Sequence, residues 1–522
     1  MSTFPLGGII IMATPFPTTT PIRFINQQSI PPKYPAQELD GKQRQRIAIQ
    51  VLSHNGSITE LAEHHQTSRK FLYQQASKAS DALNQTFSPK QNEEDVLFYI
   101  PVTKPWLRQV VLALVLLCHS SFRGVIEFFR DILDTSISLG TIHNIIHESV
   151  DNAQQINQNQ ELFRIRAGTH DELFQTGMPV FTGIDLDSTY CYLLSLETHR
   201  DAETWGIHLL YLSDQGLNPD YTVADGGLGL RAGQSIAWPD TPCNGDVFHA
   251  IHELTKLVGF LENQAYAAIT KRDDLEKKMT KAKRRGKGRS LSKQLTQTRV
   301  QEANLISLLD DIRLLLQWLR QDILTINGLE YDTRKSLFDF VMYELKRLEP
   351  LKKKKVSKVR RSLENQRDAL LGFAILIDRG LQKIEERFQV PISLLRDILD
   401  LQNQSPTSQT YWLQTEHLYH NLHDKFFLIQ QAVVDLKNHT HRASSMVENF
   451  NGRLRNYFFL RRQIGSRYLD LLRFFLNHHP FMRSKHPERV GKTPTQLLMG
   501  QPHPHWLELL GFTLFKRINK AT

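Results

Sequence analysis

The spacing of apolar residues changes twice along this chain of 522 residues and divides it into three stretches. In the first, apolar positions recur three and four residues apart, the mark of helices with one buried face. GKQRQRIAIQVL (41–52) has this spacing. So does SITELAEHHQTSRKFLYQQASKA (57–79), where Ile58, Leu61 and Ala62 pack one helix, Thr67 and Ser68 offer caps, and Phe71 and Leu72 bury the next. PWLRQVVLALVLLCHS, SSFRGVIEFFRDIL and SLGTIHNIIHESV continue it to 150. From 170 the pattern alternates or runs apolar, with β-branched and aromatic residues. HDELFQ (170–175), MPVFTGIDLD (178–187) and TYCYLLSLE (189–197) predict three strands joined by tight turns. RDAETWGIHLLYL (200–212) predicts a helix, DYTVAD (220–225) a fourth strand and CNGDVFH (243–249) a fifth: a mixed sheet flanked by helices. From about 248 to 440 the chain reads as helical again, including 304–326 and 366–388. Residues 439–478 predict one more long helical region, and HPERVGKTPTQLLMG a tail with a turn at Pro494.

These patterns predict a Pro- and Thr-rich flexible leader (1–39), a helix–turn–helix region (40–100) and a second helical region (101–164). There follow the first part of an α/β core (165–255), a helical insertion (256–438), a returning core helix (439–485) and a C-terminal tail (486–522). Met12 is an alternative start to Met1. In 57–79 the second helix bears Arg69, Lys70, Tyr73 and Gln74, side chains that a recognition helix turns to DNA; the alternative is a plain helical hairpin. Thr135 to Ile146 is either a second helix–turn–helix or part of a bundle without DNA contact.

Charge sharpens this picture. Sixty-four basic residues against 54 acidic give a net charge of +10, which fits a polyanionic partner. Two basic runs break the helical insertion: Lys271 to Arg299, with twelve basic and three acidic residues, and Lys352 to Lys355, followed by Lys358, Arg360 and Arg361. Each is either a solvated face or part of a phosphate track. Cys118, Cys191 and Cys243 are far apart and give no disulfide framework, so a reducing, cytoplasmic location is expected, nucleoid-associated in a bacterium. No apolar run approaches the ~18 residues that span a bilayer.

The candidate chemistry centres on VADGGLGLRAG (223–233). Gly227, Gly229 and Ala232 spell GxGxxA, a dinucleotide loop, with Asp246 roughly where a ribose-binding acid would stand. That reading needs repeated βαβ units, and almost two hundred helical residues follow instead. Asp225 would also repel a pyrophosphate. The other reading makes Asp225 a metal-binding carboxylate at a strand end. Two-metal phosphodiester chemistry needs about three such acids on rigid elements. If the first and fourth strands are neighbours, Asp171 and Asp225 lie side by side, and a helix across the sheet could bring Glu448 to them. Cys243, His249 and His252 could be proposed as zinc ligands, but a fourth is not evident.

Asp171 in HDELFQ, Asp225 in VADGG, Asp246-x-x-His249, the long helical insertion and Glu448 in SSMVENFNGRLRNY together resemble a DDE transposase of the Mutator-like and hAT-like style and their bacterial insertion-sequence relatives. The likeness covers roughly 165–500. It implies an RNase H-like α/β core with an N-terminal all-α helix–turn–helix region and a large all-α insertion. It implies Asp171, Asp225 and Glu448 holding two Mg2+ or Mn2+ ions, supported by Asp246, His249 and Arg455, with Arg453 contacting DNA. It further implies double-stranded DNA partners, namely terminal inverted repeats and target, and a homodimer or larger assembly. Asp185 and Asp187 compete with Asp171 for the first acid, and Asp171 is favoured as the one on the first strand. His441 and Ser444 stand where some relatives have Tyr and Arg. Trp318 is read as a core residue, the alternative being a platform for a flipped base. An inactive DNA-binding derivative and a structure-selective nuclease are the rival functions.

Overall fold

A computed structural model describes Ala36 and residues 39–88, 100–285, 289–460 and 465–515; nearly all of the leader lies outside the described residues. The chain divides into two compact units, with the boundary between Tyr99 and Ile100. The first unit contains α1 (Gly41–Leu52), α2 (Ile58–His64) and α3 (Arg69–Phe87). Asp40, Ser57 and Ser68 cap the three helices through their side-chain oxygens, the first two in reciprocal capping boxes. Their small core is Ile47, Val51, Leu61, Ala62, Leu72 and Ala76.

The second unit opens with α4 (Lys104–Leu116), α5 (Phe122–Leu133) and α6 (Leu139–Asn159). A five-stranded sheet follows: β1 (Ala167–Gln175), β2 (Met178–Asp185), β3 (Cys191–Leu196), β4 (Tyr221–Ala224) and β5 (Cys243–Gly245), in the order β3-β2-β1-β4-β5. The first three strands are antiparallel, whereas β4 and β5 run parallel to β1. The mixed α/β expectation therefore holds. The fifth strand is shorter than the sequence reading: it stops at Gly245, because Asp246 caps a helix and turns 247–249 into its first turn.

Both faces of the sheet are covered. On one lie α7 (Ala202–Asp214) and α8 (Leu228–Ala237), with Trp205 stacked on Phe181 at 3.9 Å between ring centroids. The other face packs against α6, α17 (Ser445–Leu460) and α18 (Ser466–His478). Alternation along β1 sends His170 to the first face, beside Trp205, and Leu173 to the second. Asp171, two residues before Leu173, thus points toward α17.

Between β5 and α17 comes the helical insertion: α9 (Val247–Lys283), α10 (Arg289–Trp318), α11 (Tyr331–Leu348), α12 (Lys353–Asn365), α13 (Arg367–Phe388), α14 (Ile392–Leu401), α15 (Gln409–Leu422) and α16 (Phe426–Asn438). Two apolar clusters hold it, one around α9–α13 and one around α13–α16. Trp318 is half-buried in the first and stacks on Phe340 at 5.7 Å, the packing role. α13 lies against β5 at very close range. A Cβ on Gly245 would sit 2.9 Å from the Leu370 side chain, and one on Gly372 would collide with the Asn244 amide.

Two expectations for the end of the chain are corrected. The helical region expected over 439–478 starts late: residues 439–444 are not helical, and α17 and α18 follow, with Gly465 as the N-cap of α18. Pro494 does not make a turn. It occupies the first position of α19 (Pro494–Met499), where its missing N–H costs nothing, behind the cap Thr493. The tail is packed: Trp506, opening α20 (Trp506–Leu509), meets Phe475 edge-on at 5.1 Å.

Candidate functional site

The register of two parallel strands builds the site. His170 pairs with Ala224, so the next residues, Asp171 and Asp225, come side by side as β4 ends. Both face the α17 side, opposite to the His170 and Ala224 side chains that pack among the aromatic residues under α7 and α8. Asp225 turns at once: its Oδ1 accepts the Gly227 N–H at 2.9 Å. Arg231 fixes the same corner. Its guanidinium donates to the carbonyls of Asp225 (2.8 Å), Ala224 (3.1 Å) and Cys243 (3.2 Å), tying the ends of β4 and β5 together.

The third acid arrives by a pinned return path. The Tyr221 hydroxyl donates to the His439 carbonyl (2.8 Å) and accepts the His441 N–H (2.9 Å). The Val247 N–H donates to the Arg442 carbonyl at 2.9 Å, and Ser444 donates its hydroxyl to Asp246. The chain leaving the insertion is thereby stitched to β4 and to the start of α9 just before α17 begins. α17 buries Val447, Phe450, Asn451, Leu454, Tyr457 and Phe458, leaving Glu448 exposed in its first turn.

The charges of Asp225 and Glu448 both bear on Asp171. Burial, with the neighbouring Asp225 and Glu448 carboxylates, pushes the Asp171 carboxyl up to about 6, against the lowering effect of the Glu172 N–H and the Asn451 amide. Asn451 is fully buried and donates to Asp171 Oδ2 at 2.6 Å. None of the three acids has an ion-pair partner among the described residues. Asp171 on β1, Asp225 just past β4 and Glu448 on α17 carry hard oxygen donors, the kind a divalent ion such as Mg2+ takes. As the side chains stand, no three His, Cys, Asp or Glu groups among the described residues are close enough to share one ion. Glu448 is the exposed one of the three.

Asp185 does not join this group. It pairs with Gly168 across β1–β2, at the other end of β1 from Gln175, and is buried with Oδ2 accepting the Ser188 N–H at 2.7 Å. Asp187 pairs with His441 at 2.9 Å. These two acids line a separate cleft of about 720 Å³ with Arg164, Lys437, His439 and Arg489.

The supporting residues have definite places. Asp246 is buried and spends Oδ1 on the N–H groups of Phe248 (2.7 Å) and His249 (3.1 Å), and Oδ2 on Ser444, so it fastens the scaffold. His249 is exposed on the first turn of α9, and His252, also exposed, stacks on Phe248. Neither forms a zinc cluster with Cys243. Arg455 is exposed on α17. Arg453, read as a DNA contact, is largely buried, and burial lowers its pKa against the raising effect of Tyr457 and Cys191. In the first unit Arg69, Lys70, Tyr73 and Gln74 are exposed on α3, with Tyr73 59% accessible.

Two of the glycines of 223–233, Gly229 and Gly233, serve packing. A Cβ on Gly229 would collide with the Arg200 carbonyl oxygen, and one on Gly233 would lie 2.6 Å from Trp205 Cβ. They let α8 press onto α7, which removes the steric case for a phosphate loop. Sequence reasoning misses Asn451 and Arg231. Asn451 carries a usable signal, standing three residues after Glu448 on the inner side of the same helix. No family model matches this chain, and no curated protein matches it in sequence.

Proposed function

We propose that this chain is a DDE transposase, cleaving DNA strands and transferring them at paired transposon ends through metal-dependent in-line phosphoryl transfer. The observation that carries the reading is the meeting of Asp171 on β1 with Asp225 just past the end of β4, under a helix, α17, that donates Asn451 to Asp171 and carries Glu448 in its first turn, after an insertion of almost two hundred residues. A sheet with β1 at its centre and β4 beside it, helices on both faces, supports an RNase H-like core.

Two Mg2+ or Mn2+ ions, when bound, would supply activation of a water or 3′-hydroxyl and stabilisation of the leaving oxygen. The residues that would hold them are the three acids. Asp171 sits on β1 and Asp225 one residue past the paired end of β4, while Asn451 sets the orientation of the Asp171 carboxylate. The exposed Glu448 closes the set from the helix. Arg455, two turns along α17 from Glu448, offers its charge to a DNA phosphate. Arg69, Lys70 and Tyr73 on α3 offer a duplex-reading surface in the first unit, and a dimer or larger assembly would hold two ends together.

The decisive assay uses the full chain and DNA carrying the inverted repeats that flank its gene. Mg2+-dependent strand cleavage is expected from the native protein, with Asp225→Ala abolishing cleavage while binding to the same DNA persists. Undiminished cleavage by Asp225→Ala would overturn the assignment. Binding without cleavage by the native protein would leave the inactive DNA-binding derivative.

A further inference from the structure

α9 starts beside the acids and runs away from them. Its cap, Asp246, follows Gly245, which pairs with Ala224, the neighbour of Asp225. With 37 residues at ~1.5 Å rise each, α9 reaches roughly 55 Å. α10 packs back along it as an antiparallel hairpin. The apolar cluster at its base takes residues of α9 only up to Ala265 and of α10 only from Leu308. Farther out, the two helices are clasped by ion pairs, Arg272 with Glu302 at 2.6 Å and Arg299 with Glu276 at 2.8 Å. Beyond that clasp the charge is of one sign. Residues 277–298 contain no acid, and Lys277, Lys278, Lys281, Lys283, Arg284 and Arg285 are exposed with no ion-pair partner among the described residues. The clasp uses up two of the cations in the Lys271–Arg299 run; all the rest but Lys271 lie between Arg272 and Arg299 in the sequence.

We infer that the α9–α10 hairpin is a DNA-gripping arm whose cationic tip binds the phosphate backbone of a duplex about 50 Å from the three acids. Duplex DNA is the polyanion of the proposed reaction, and the inference rests on that reading. At ~3.4 Å per base pair along a strand, the tip meets the duplex about 15 base pairs from the scissile phosphate. The contacts are to phosphates, so they add affinity without sequence preference. Each neutralised phosphate steepens the fall of log K with log salt by about 0.9.

The test compares the full-length protein with a variant carrying Lys281→Gln, Lys283→Gln, Arg284→Gln and Arg285→Gln, surface changes that leave the core untouched. Binding to duplexes of arbitrary sequence, 10 and 40 base pairs long, is titrated by fluorescence anisotropy at several salt concentrations. The expected result is a salt slope shallower by about 2–4 in the variant on the 40-mer, with at least tenfold weaker binding at low salt. The gain in affinity from 10 to 40 base pairs should also be smaller in the variant. Equal slopes and affinities for the two proteins overturn the inference. So does variant-sensitive binding to phosphatidylglycerol vesicles with no effect on DNA. Neither readout needs cleavage: an Asp225→Ala background must give the same slope difference, so loss of catalysis and loss of the arm contact are told apart.

Discussion

At the residue scale, the site's defining feature is a carboxyl group crowded by its neighbours. Asp171 stands at about 6 rather than 3.8, first because it is buried and then because two other acids face it. The folded chain therefore holds this proton more tightly than the unfolded chain does. The associated stability is complete below about pH 4 and is lost as pH rises through about 6, a loss on the order of 2–3 kcal/mol. Asp171→Asn, which still accepts from Asn451, should raise the melting temperature above the native protein's at pH 7.5 without divalent ions, and leave it level at pH 4. Added Mg2+ should stabilise the native protein and not the variant. A difference in melting temperature independent of pH would show that the acids do not repel one another. Asp185→Asn, changing an acid outside this group, should leave Mg2+-dependent cleavage intact. Asn451 acts through Asp171. Its removal in Asn451→Ala takes away a hydrogen bond to a charged group worth about 1.5–3 kcal/mol and should move the acidic limb of the cleavage profile upward by about one pH unit. A lowered rate with an unmoved limb would reduce Asn451 to packing.

At the scale of elements, the glycine-rich corner separates the two readings of 223–233. Gly233→Ala would drive a Cβ to 2.7 Å from the Ala202 carbonyl oxygen as well as against Trp205. Overpacking of this kind costs about 1–3 kcal/mol, so the melting temperature should fall by several degrees, and neither NAD nor ATP should restore it. Stabilisation of the native protein by either nucleotide would revive the phosphate-loop interpretation. The strands, most helices, Asp225 and Glu448 are legible in the sequence because alternation and helical spacing are local signals, and the adjacency of β1 and β4 then follows from one assumption about the sheet. What the sequence hides depends on contacts between distant residues. The fifth strand is cut short by Asp246, whose Oδ1 caps α9, while its Oδ2 takes the Ser444 hydroxyl from about two hundred positions later. Residues 439–444 read as helix because their composition permits one. They are drawn out by Tyr221 instead, whose hydroxyl takes up two of their backbone groups. The inward turn of Arg453 and the burial of the tail by Trp506 are likewise visible only once α17 and α18 are packed.

At the scale of the whole chain, the excess of positive charge is concentrated rather than spread, and the insertion has two jobs that separate along its length. Its inner part, α11 to α16 with the bases of α9 and α10, belongs to continuous apolar clusters and carries the chain from β5 back to α17. Its outer part, the α9–α10 hairpin beyond Ala265 and Leu308, adds no residue to those clusters. Excision of 267–305 with a short Gly-Ser linker should therefore be tolerated, since packed antiparallel helices stand only about 8–10 Å apart and the cut ends remain neighbours. The shortened protein should melt within a few degrees of the native one and keep the pH-dependent response to Asp171→Asn. Cleavage of flanking-repeat DNA should persist but require lower salt, because the outer cations no longer contribute to binding. A shortened protein that fails to fold, or that loses the Asp171 response, would mean that the arm braces the path from β5 to Glu448, tying the geometry of the acids to the part of the insertion farthest from them.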